Sequence, residues 1–372
     1  MMKIEWITSS NFLNVDDSIV FSLKETYDIN WTVLVQREMS QYFPDINQKV
    51  QLIGVGSCCK LLPRLSSIRT LYIYIKIAME IKKRKPDLIY VDCLGMPYLF
   101  PVLFVCGFDR NKIVYACHDF VDHVNVPHRR YISVYKKFIF KKFVNFKFFS
   151  KTQQKLFKAT YSNKRSFYTP LVLQQYGPIT NIEKNHEKKP VVFLFYGAIR
   201  ENKGLEFLIE AANKLPKTYD GAYKIKIYGG TNKWHYYQNK IHNIQNFDLK
   251  IERVPDNEVA NLFASADYLV LPYRDVSQSG PLSVAYYYNL PVIASNHDGF
   301  KEFIHNNENG FLFKNEDSDD LSRVLTEIID GKHDYYAIKR NLKQFVVSNL
   351  STNKIVDMYI DGLDTLYKEI YE

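Results

Sequence analysis

Short apolar runs alternate with longer amphipathic segments along the whole chain. That alternation is the signature of a parallel sheet covered by helices. Residues 3–7 read as a first strand, with the polar Thr8, Ser9, Ser10 and Asn11 at its end. Residues 16–26 then read as a helix, 31–36 and 50–53 as strands, and 67–84 as a helix stopped by Pro86. Strands at 87–91 and 112–117 follow, then a helix over 129–144 and strands at 145–149 and 165–169. Periodicity fails over 171–189, which reads as a linker, and restarts with the strand 191–196. The second half continues with a helix through Leu215, strand 224–228, helix 256–264, strands 267–271, 290–294 and 310–313, and helix 319–329. This divides the chain into a Rossmann-like domain over 1–170, the linker, and a second Rossmann-like domain over 190–345. A final segment, 346–372 with a helix over 354–371, is expected to pack back on the first domain.

Candidate chemistry sits where these strands end. Residues 271–295 read LPYRDVSQSGPLSVAYYYNLPVIAS: strand, polar loop, helix, turn, strand. Pro281 suits a first helical position, having no N–H to leave unpaired, and Asn289 suits the left-handed residue that closes a helix. A Ser/Gly loop opening onto a helix N-terminus presents free N–H groups and the positive end of a dipole, an anion cradle suited to phosphate. The strand 191–196 runs into GAIRENKG, where Gly197 permits close backbone approach. There Arg200 and Lys203 supply two cations able to neutralise a diphosphate. His118 and Asp119 follow the strand 112–117, where an imidazole can donate to a substrate or orient it.

Charge divides the chain more sharply than hydropathy. Residues 1–170 hold 26 Lys and Arg against 13 Asp and Glu, while the remainder holds 23 against 27. The first half is therefore expected to face something anionic, with nucleic acid and anionic lipid as the broad candidates. In the helix 129–144, Ile132, Tyr135, Ile139 and Phe143 share one stripe, and Arg130, Lys137 and Lys141 another. Lys136 and Lys142 flank the apolar stripe, with Phe138 and Phe140 outside it. Basic residues beside aromatics fit a membrane-surface element as well as a solvated helix packed on the sheet. No nucleic-acid module is present.

The five cysteines, Cys58, Cys59, Cys93, Cys106 and Cys117, lack the paired spacing of a zinc or redox motif. The first residues carry no secretory pattern. The uncharged run 93–108 is broken by Gly95, Pro97, Pro101 and Gly107 and is too short to span a bilayer. Asp317 and Asp319 read as a cap for the next helix rather than as metal ligands. No carboxylate pair suggests a glycosidase.

FLFYGAIRENKGLEFLIEAANKL, VPDNEVANLFASADYLVLPY, PVIASNHDGFKEFI and NGFLF together resemble the family 4 retaining glycosyltransferases of the GT-B fold. The resemblance implies an α/β architecture of two Rossmann-like domains facing each other across a cleft. Arg200 and Lys203 match the family's basic pair on the donor diphosphate, and His118 matches the first-domain histidine near the transferred sugar. Together these three form the candidate catalytic set. The donor side is assigned to Gly197, Arg200, Lys203, Val254, Gln278, Ser279, Gly280, Pro281 and Leu282, and the acceptor side to Ser9, Ser10, Asn11 and Asp119. Family members usually carry two glutamates eight positions apart, where this chain has Val276 and Val284. Asp275 stands beside the first, and the SQSGPL loop resembles a subgroup lacking that glutamate. The family's Gly-rich first-domain loop is replaced by Thr8–Asn11.

The function implied is retaining transfer of a hexose from a nucleotide-sugar donor to a glycan acceptor, lipid-linked or polysaccharide, needing no cofactor and no metal. The expected place is the cytoplasm, peripheral at the inner face of an anionic membrane, without nucleic acid. Two alternatives share the fold: a nucleotide-sugar epimerase, and a catalytically weak sugar-binding subunit, the latter motivated by Val276 and Val284.

Overall fold

The computed structural model describes residues 1–36, 51–55, 65–93, 99–121, 129–180 and 190–372. These form two compact units. The first takes the described residues up to Val172 together with Thr352–Glu372; the second runs over Leu173–Ser351. Cys58, Cys59, Gly95, Pro97 and residues 181–189 of the expected linker lie outside the described residues, as do the side chains of Asn11, Arg130 and Ile132.

In the first unit the order is β1 (Lys3–Ser9), α1 (Leu13–Leu23), β2 (Asp28–Gln36), β3 (Gln51–Val55), α2 (Leu65–Arg84), β4 (Leu88–Asp92) and α3 (Leu99–Val105). Then come β5 (Ile113–Cys117), α4 (Arg129–Lys142), β6 (Asn145–Phe148), α5 (Lys151–Thr160) and β7 (Arg165–Tyr168). All seven strands are parallel in the order β3-β2-β1-β4-β5-β6-β7, so the strand order reverses between β1 and β4. Open α/β sheets bind ligands at such a switch point. Thr8 and Ser9, expected in a loop, extend β1 instead, because Thr8 is in register with both Val33 and Asp92.

One face of this sheet packs under α2, α3, α4 and α5 and the other under α1 and the last helix, α13 (Thr352–Tyr371). Helix α13 sits close enough that a Cβ on Gly362 would lie 2.3 Å from the Phe167 ring, and Tyr27 donates to Asp364 at 2.7 Å. Helix α4 departs from its expected orientation. Phe140 is buried along with Ile139 and Phe143, and Phe138 and Tyr135 pack against the same core. The helix is wedged between α3 and α5, with Phe104 edge-on to Phe138 and Phe157 against Phe140. More of its circumference is therefore covered than a single stripe requires, and Lys136 is buried too.

In the second unit the order is β8 (Val191–Tyr196), α6 (Leu205–Asn213), β9 (Tyr223–Tyr228), α7 (Trp234–Gln238), β10 (Phe247–Lys250), α8 (Asp256–Ala264) and β11 (Tyr268–Leu271). It continues with α9 (Gly280–Tyr287), β12 (Val292–Ser295), α10 (Asp298–Lys301), β13 (Gly310–Phe313), α11 (Ser318–Ile329) and α12 (Tyr335–Asn349). The six parallel strands run β10-β9-β8-β11-β12-β13, placing β8 and β11 at the reversal. Asn289 is left-handed (φ 52°) after α9, and Asp317 caps α11 by accepting from the N–H groups of Asp319 and Asp320. Among the described elements, α5, α7, β10, α10 and α12 carry no expectation from the sequence.

Candidate active site

Two glycines bring the strand ends of the second unit together. Gly197 (φ 113°) follows β8 and donates to the Tyr228 carbonyl at 3.0 Å. A Cβ on Gly229 would lie 1.8 Å from the Gly197 carbonyl oxygen, so the tips of β8 and β9 touch backbone to backbone. Next, Arg200 is extended and a 3-10 turn spans Glu201–Lys203, ending at the left-handed Gly204 (φ 59°). A Cβ there would meet the Pro272 carbonyl oxygen at 2.0 Å. Gly204 is thus tucked under the segment leaving β11, and this sets Lys203 over the Tyr273 ring, Nζ 3.7 Å from its centroid.

Tyr273 is itself fixed. It is 1 % exposed, and its carbonyl accepts from Ser295 Oγ at 2.7 Å and His297 Nε2 at 3.0 Å. Because a carbonyl only accepts, His297 carries its proton on Nε2, and Nδ1 accepts from Asn315 at 3.2 Å. The Tyr273 hydroxyl lies 3.5 Å from Ser279 Oγ. Ser279 caps α9, accepting from the Leu282 N–H at 3.4 Å, with Pro281 in the first turn. The expected cradle over Ser279–Leu282 is therefore narrower than the sequence suggests. Pro281 has no N–H and that of Leu282 is taken, which leaves the N–H groups of Ser279 and Gly280 without an acceptor among the described residues.

A cavity of about 290 Å³ lies over these elements, lined by Gln174, Tyr176, Tyr196, Gly197, Ala198, Arg200, Lys203, Tyr273, Gly280, Pro281 and Val284. Arg200 is exposed and Lys203 half-buried, and neither has a carboxylate partner among the described residues. The neighbouring Arg274, by contrast, is held by Glu206 and Glu316. Burial pushes the Tyr196 phenol upward, with Tyr176 and Asp256 adding to the shift, so it serves as a neutral hydrogen-bonding group. No lining side chain is a carboxylate; Asp275 accepts from Asn202 at 3.4 Å, and Val284 is packed into the wall.

The structure brings Gly197, Arg200, Lys203, Gly280 and Pro281 to one cavity, with Ser279 and Leu282 buried behind it. It does not bring Val254 or Gln278 to the wall: Val254 is packed in the core under α8 and α9. Sequence reasoning missed Gln174, Tyr176, Tyr196 and Tyr273. The first two lie in a stretch read as linker, which is pinned to this unit by Tyr288, whose hydroxyl accepts from the Tyr176 N–H and donates to the Gly177 carbonyl. Tyr273 had a usable signal, as an aromatic residue directly after the Leu-Pro that ends a buried strand.

The other named residues belong to the first unit. Ser9 and Ser10 are buried at the end of β1, and their hydroxyls have no partner among the described residues. Asp119 is half-buried. His118, 3 % exposed, is stacked between Phe12 (3.8 Å) and Phe149 (4.2 Å), with Nε2 2.7 Å from Asp92 Oδ1. A carboxylate there holds the proton on Nε2 and fixes the ring. Beneath it, Asp16 accepts from Trp6 Nε1 (2.9 Å) and Thr8 Oγ1 (2.5 Å). Burial, then the charge of Asp92, holds the Asp16 carboxyl well above the usual range, and burial holds the fully enclosed Lys147 well below its own.

Comparison with known proteins agrees with this architecture. Residues 179–345 match the glycosyl transferases group 1 family. The sucrose-phosphate synthase of Thermosynechococcus elongatus superposes with a TM-score of 0.74 at 13% identity, over 100% of this chain and 99% of that one. Anabaena HepE, solved in complex with UDP and glucose, gives 0.72 at 15%, over 98% and 100%. The apo lipopolysaccharide outer core galactosyltransferase WaaB gives 0.67 at 15%, over 98% and 99%. No curated protein matches by sequence. The chain has the two-domain GT-B fold of the glycosyltransferases. The protein is a glycosyltransferase, and the residues that match the group 1 family model lie in the second unit.

Proposed function

We propose that the enzyme transfers a hexose, with retention, from a nucleoside diphosphate donor to a lipid-linked or polysaccharide glycan at the inner face of the cytoplasmic membrane. The observation that carries the donor assignment is the pair Arg200 and Lys203, free of carboxylate partners among the described residues and set on the same cavity as the start of α9. Their charges and the N–H groups of Ser279 and Gly280 stabilise the diphosphate as it leaves, where negative charge develops. HepE, of the same fold, was solved with UDP and glucose, which supports this donor class. The cavity offers no carboxylate to a divalent cation, and no group of three His, Cys, Asp or Glu side chains among the described residues could hold a metal. In this reading the chain's own cations carry the neutralisation, and neither a metal nor a cofactor is required. His118, oriented by Asp92, is assigned to the transferred sugar, and Ser9, Ser10, Asn11 and Asp119 to the acceptor.

Acceptor-dependent release of nucleotide from a panel of nucleotide sugars tests this reading. Arg200→Ala and Lys203→Ala should each lower kcat/KM on the order of tenfold or more, since charge-assisted contacts contribute about 1.5–3 kcal/mol. Unchanged donor kinetics in both variants would remove the diphosphate assignment.

A further inference from the structure

Helix α2 carries two apolar stripes, and only one of them is used by the fold. Tyr74, Ile77, Ala78 and Ile81 are buried in the core beneath the sheet-covering helices. Ile68 (63 %), Leu71, Tyr72 (68 %), Ile75 and Met79 (57 %) are exposed. At one residue per ~100° these five fall within an arc about 100° wide. Lys82 lies inside that arc and Lys76 and Lys83 at its edge, all three exposed. The one acidic residue of α2, Glu80, is half-buried and lies outside the arc.

Five large apolar side chains in one exposed row are more than the scattered hydrophobes of an ordinary surface, and such a patch marks a contact. We propose that this face of α2 rests on an anionic lipid surface, with the apolar row in the interface and Lys76, Lys82 and Lys83 at the headgroups. Charge selects the occupant. The exposed face offers cations and no anion, which suits anionic headgroups. A second copy docked through the same face would set lysine rows against each other, and like charges disfavour that pairing. Spanning is excluded: α2 holds six charged residues in its twenty, and no described helix is long and apolar enough to cross a membrane. The inference rests on the membrane placement proposed above and moves the contact away from α4, whose aromatic residues belong to the core.

The test uses the full chain in flotation with phosphatidylcholine vesicles, with and without phosphatidylglycerol, at low and high salt. Three variants are compared with wild type: Ile68→Gln/Tyr72→Gln/Met79→Gln, Lys76→Gln/Lys82→Gln/Lys83→Gln, and Lys137→Gln/Lys141→Gln on α4. The wild type should bind anionic vesicles, and the apolar triple variant should bind about tenfold more weakly or worse at every salt concentration. The α2 lysine variant should lose the preference for phosphatidylglycerol, and the α4 variant should change little. All replaced side chains are exposed, and circular dichroism verifies that the folds are retained. Equal binding by wild type and the apolar variant overturns the inference, and so does a wild type that ignores anionic vesicles at low salt. A wild-type dimer in light scattering that the apolar variant converts to monomer overturns it in favour of self-association. Acceptor-dependent nucleotide release with a short soluble acceptor, measured on the same variants, should be unchanged; its absence in wild type is a failure of the transferase reading and leaves the vesicle result standing.

Discussion

Replacing Tyr273 with leucine removes the ring beneath Lys203 while keeping an apolar side chain in the same place. The ammonium sits 3.7 Å from the ring centroid, and the ring is 1 % exposed, so one side of the charge faces a fixed quadrupole rather than water. Such a contact contributes about 0.5–2 kcal/mol depending on desolvation. At about 1.4 kcal/mol per tenfold, Tyr273→Leu should lower kcat/KM for the donor roughly 2- to 30-fold by loosening Lys203. The hydroxyl stands 3.5 Å from Ser279 Oγ, at the limit of a hydrogen bond, so Tyr273→Phe should stay near wild type. Loss of a buried ring also lowers stability, so rates are compared well below each variant's unfolding temperature. The decisive measurement is a double-mutant cycle on initial rates of nucleotide release. If Tyr273 acts through Lys203, Tyr273→Leu should cost little in a Lys203→Ala background. An equal loss in both backgrounds would show that the ring serves packing alone, and the positioning role would be withdrawn.

Gly229→Ala should destabilise the second unit by about 1–3 kcal/mol or more, because the new methyl meets the Gly197 carbonyl at 1.8 Å and no rotamer can relieve a clash with backbone; an unchanged Tm in thermal unfolding would contradict the close approach. Donor binding should survive EDTA, and loss of binding to every nucleotide sugar with recovery on adding Mg²⁺ would contradict charge neutralisation by Arg200 and Lys203. Lys147 titrates well below its usual 10.5 in the folded state, so between that depressed value and 10.5 the unfolded chain binds a proton that the folded chain does not, and this residue makes stability rise with pH. Lys147→Met should flatten that rise on the acid side of 10.5, read from denaturant midpoints; parallel slopes would place the lysine in contact with water.

Much of the donor cavity was legible because its parts are local. Pro281 in the first turn and the left-handed Asn289 are each set by backbone chemistry within a few residues; Asn289 stands as the sequence implies, and Pro281 lies one residue inside the helix because Gly280 opens it behind the Ser279 cap. Arg200 and Lys203 follow directly from the strand that carries them. Tyr273 and Tyr196 depend on what packs across from them, and Gln174 and Tyr176 on a stretch without periodicity that hydrogen bonds to Tyr288 hold in place. Nothing local distinguishes such a stretch from a linker. The missing elements follow the same division: β10 is a four-residue strand, FDLK, with two charges, and it forms because β9 offers it an edge.

Buried charge was illegible for a different reason. Nothing local marks Asp16 or Lys147 as buried, since the free energy that keeps charges in water is the strongest sorting rule a sequence offers. They are enclosed because Trp6, Thr8 and the opposite charges near them compensate across strands far apart in the chain.

The two helices with basic flanks show what periodicity can and cannot decide. A 3.6-residue repeat identifies an apolar stripe, but says nothing about whether the fold covers it. On α4 periodicity gives a single apolar stripe, with Phe138 and Phe140 outside it. The corner between α3 and α5 covers them, because a helix wedged between two others buries more than one face. On α2 the reverse holds. Tyr74, Ile77, Ala78 and Ile81 satisfy the sheet, so the second row, Ile68 to Met79, has no partner within the described residues of the unit. The surplus of positive charge in the first 170 residues pointed to an anionic partner. In the proposal above that partner meets the chain at the stripe that tertiary packing leaves over, and only the structure distinguishes the stripe that is spent from the one that remains.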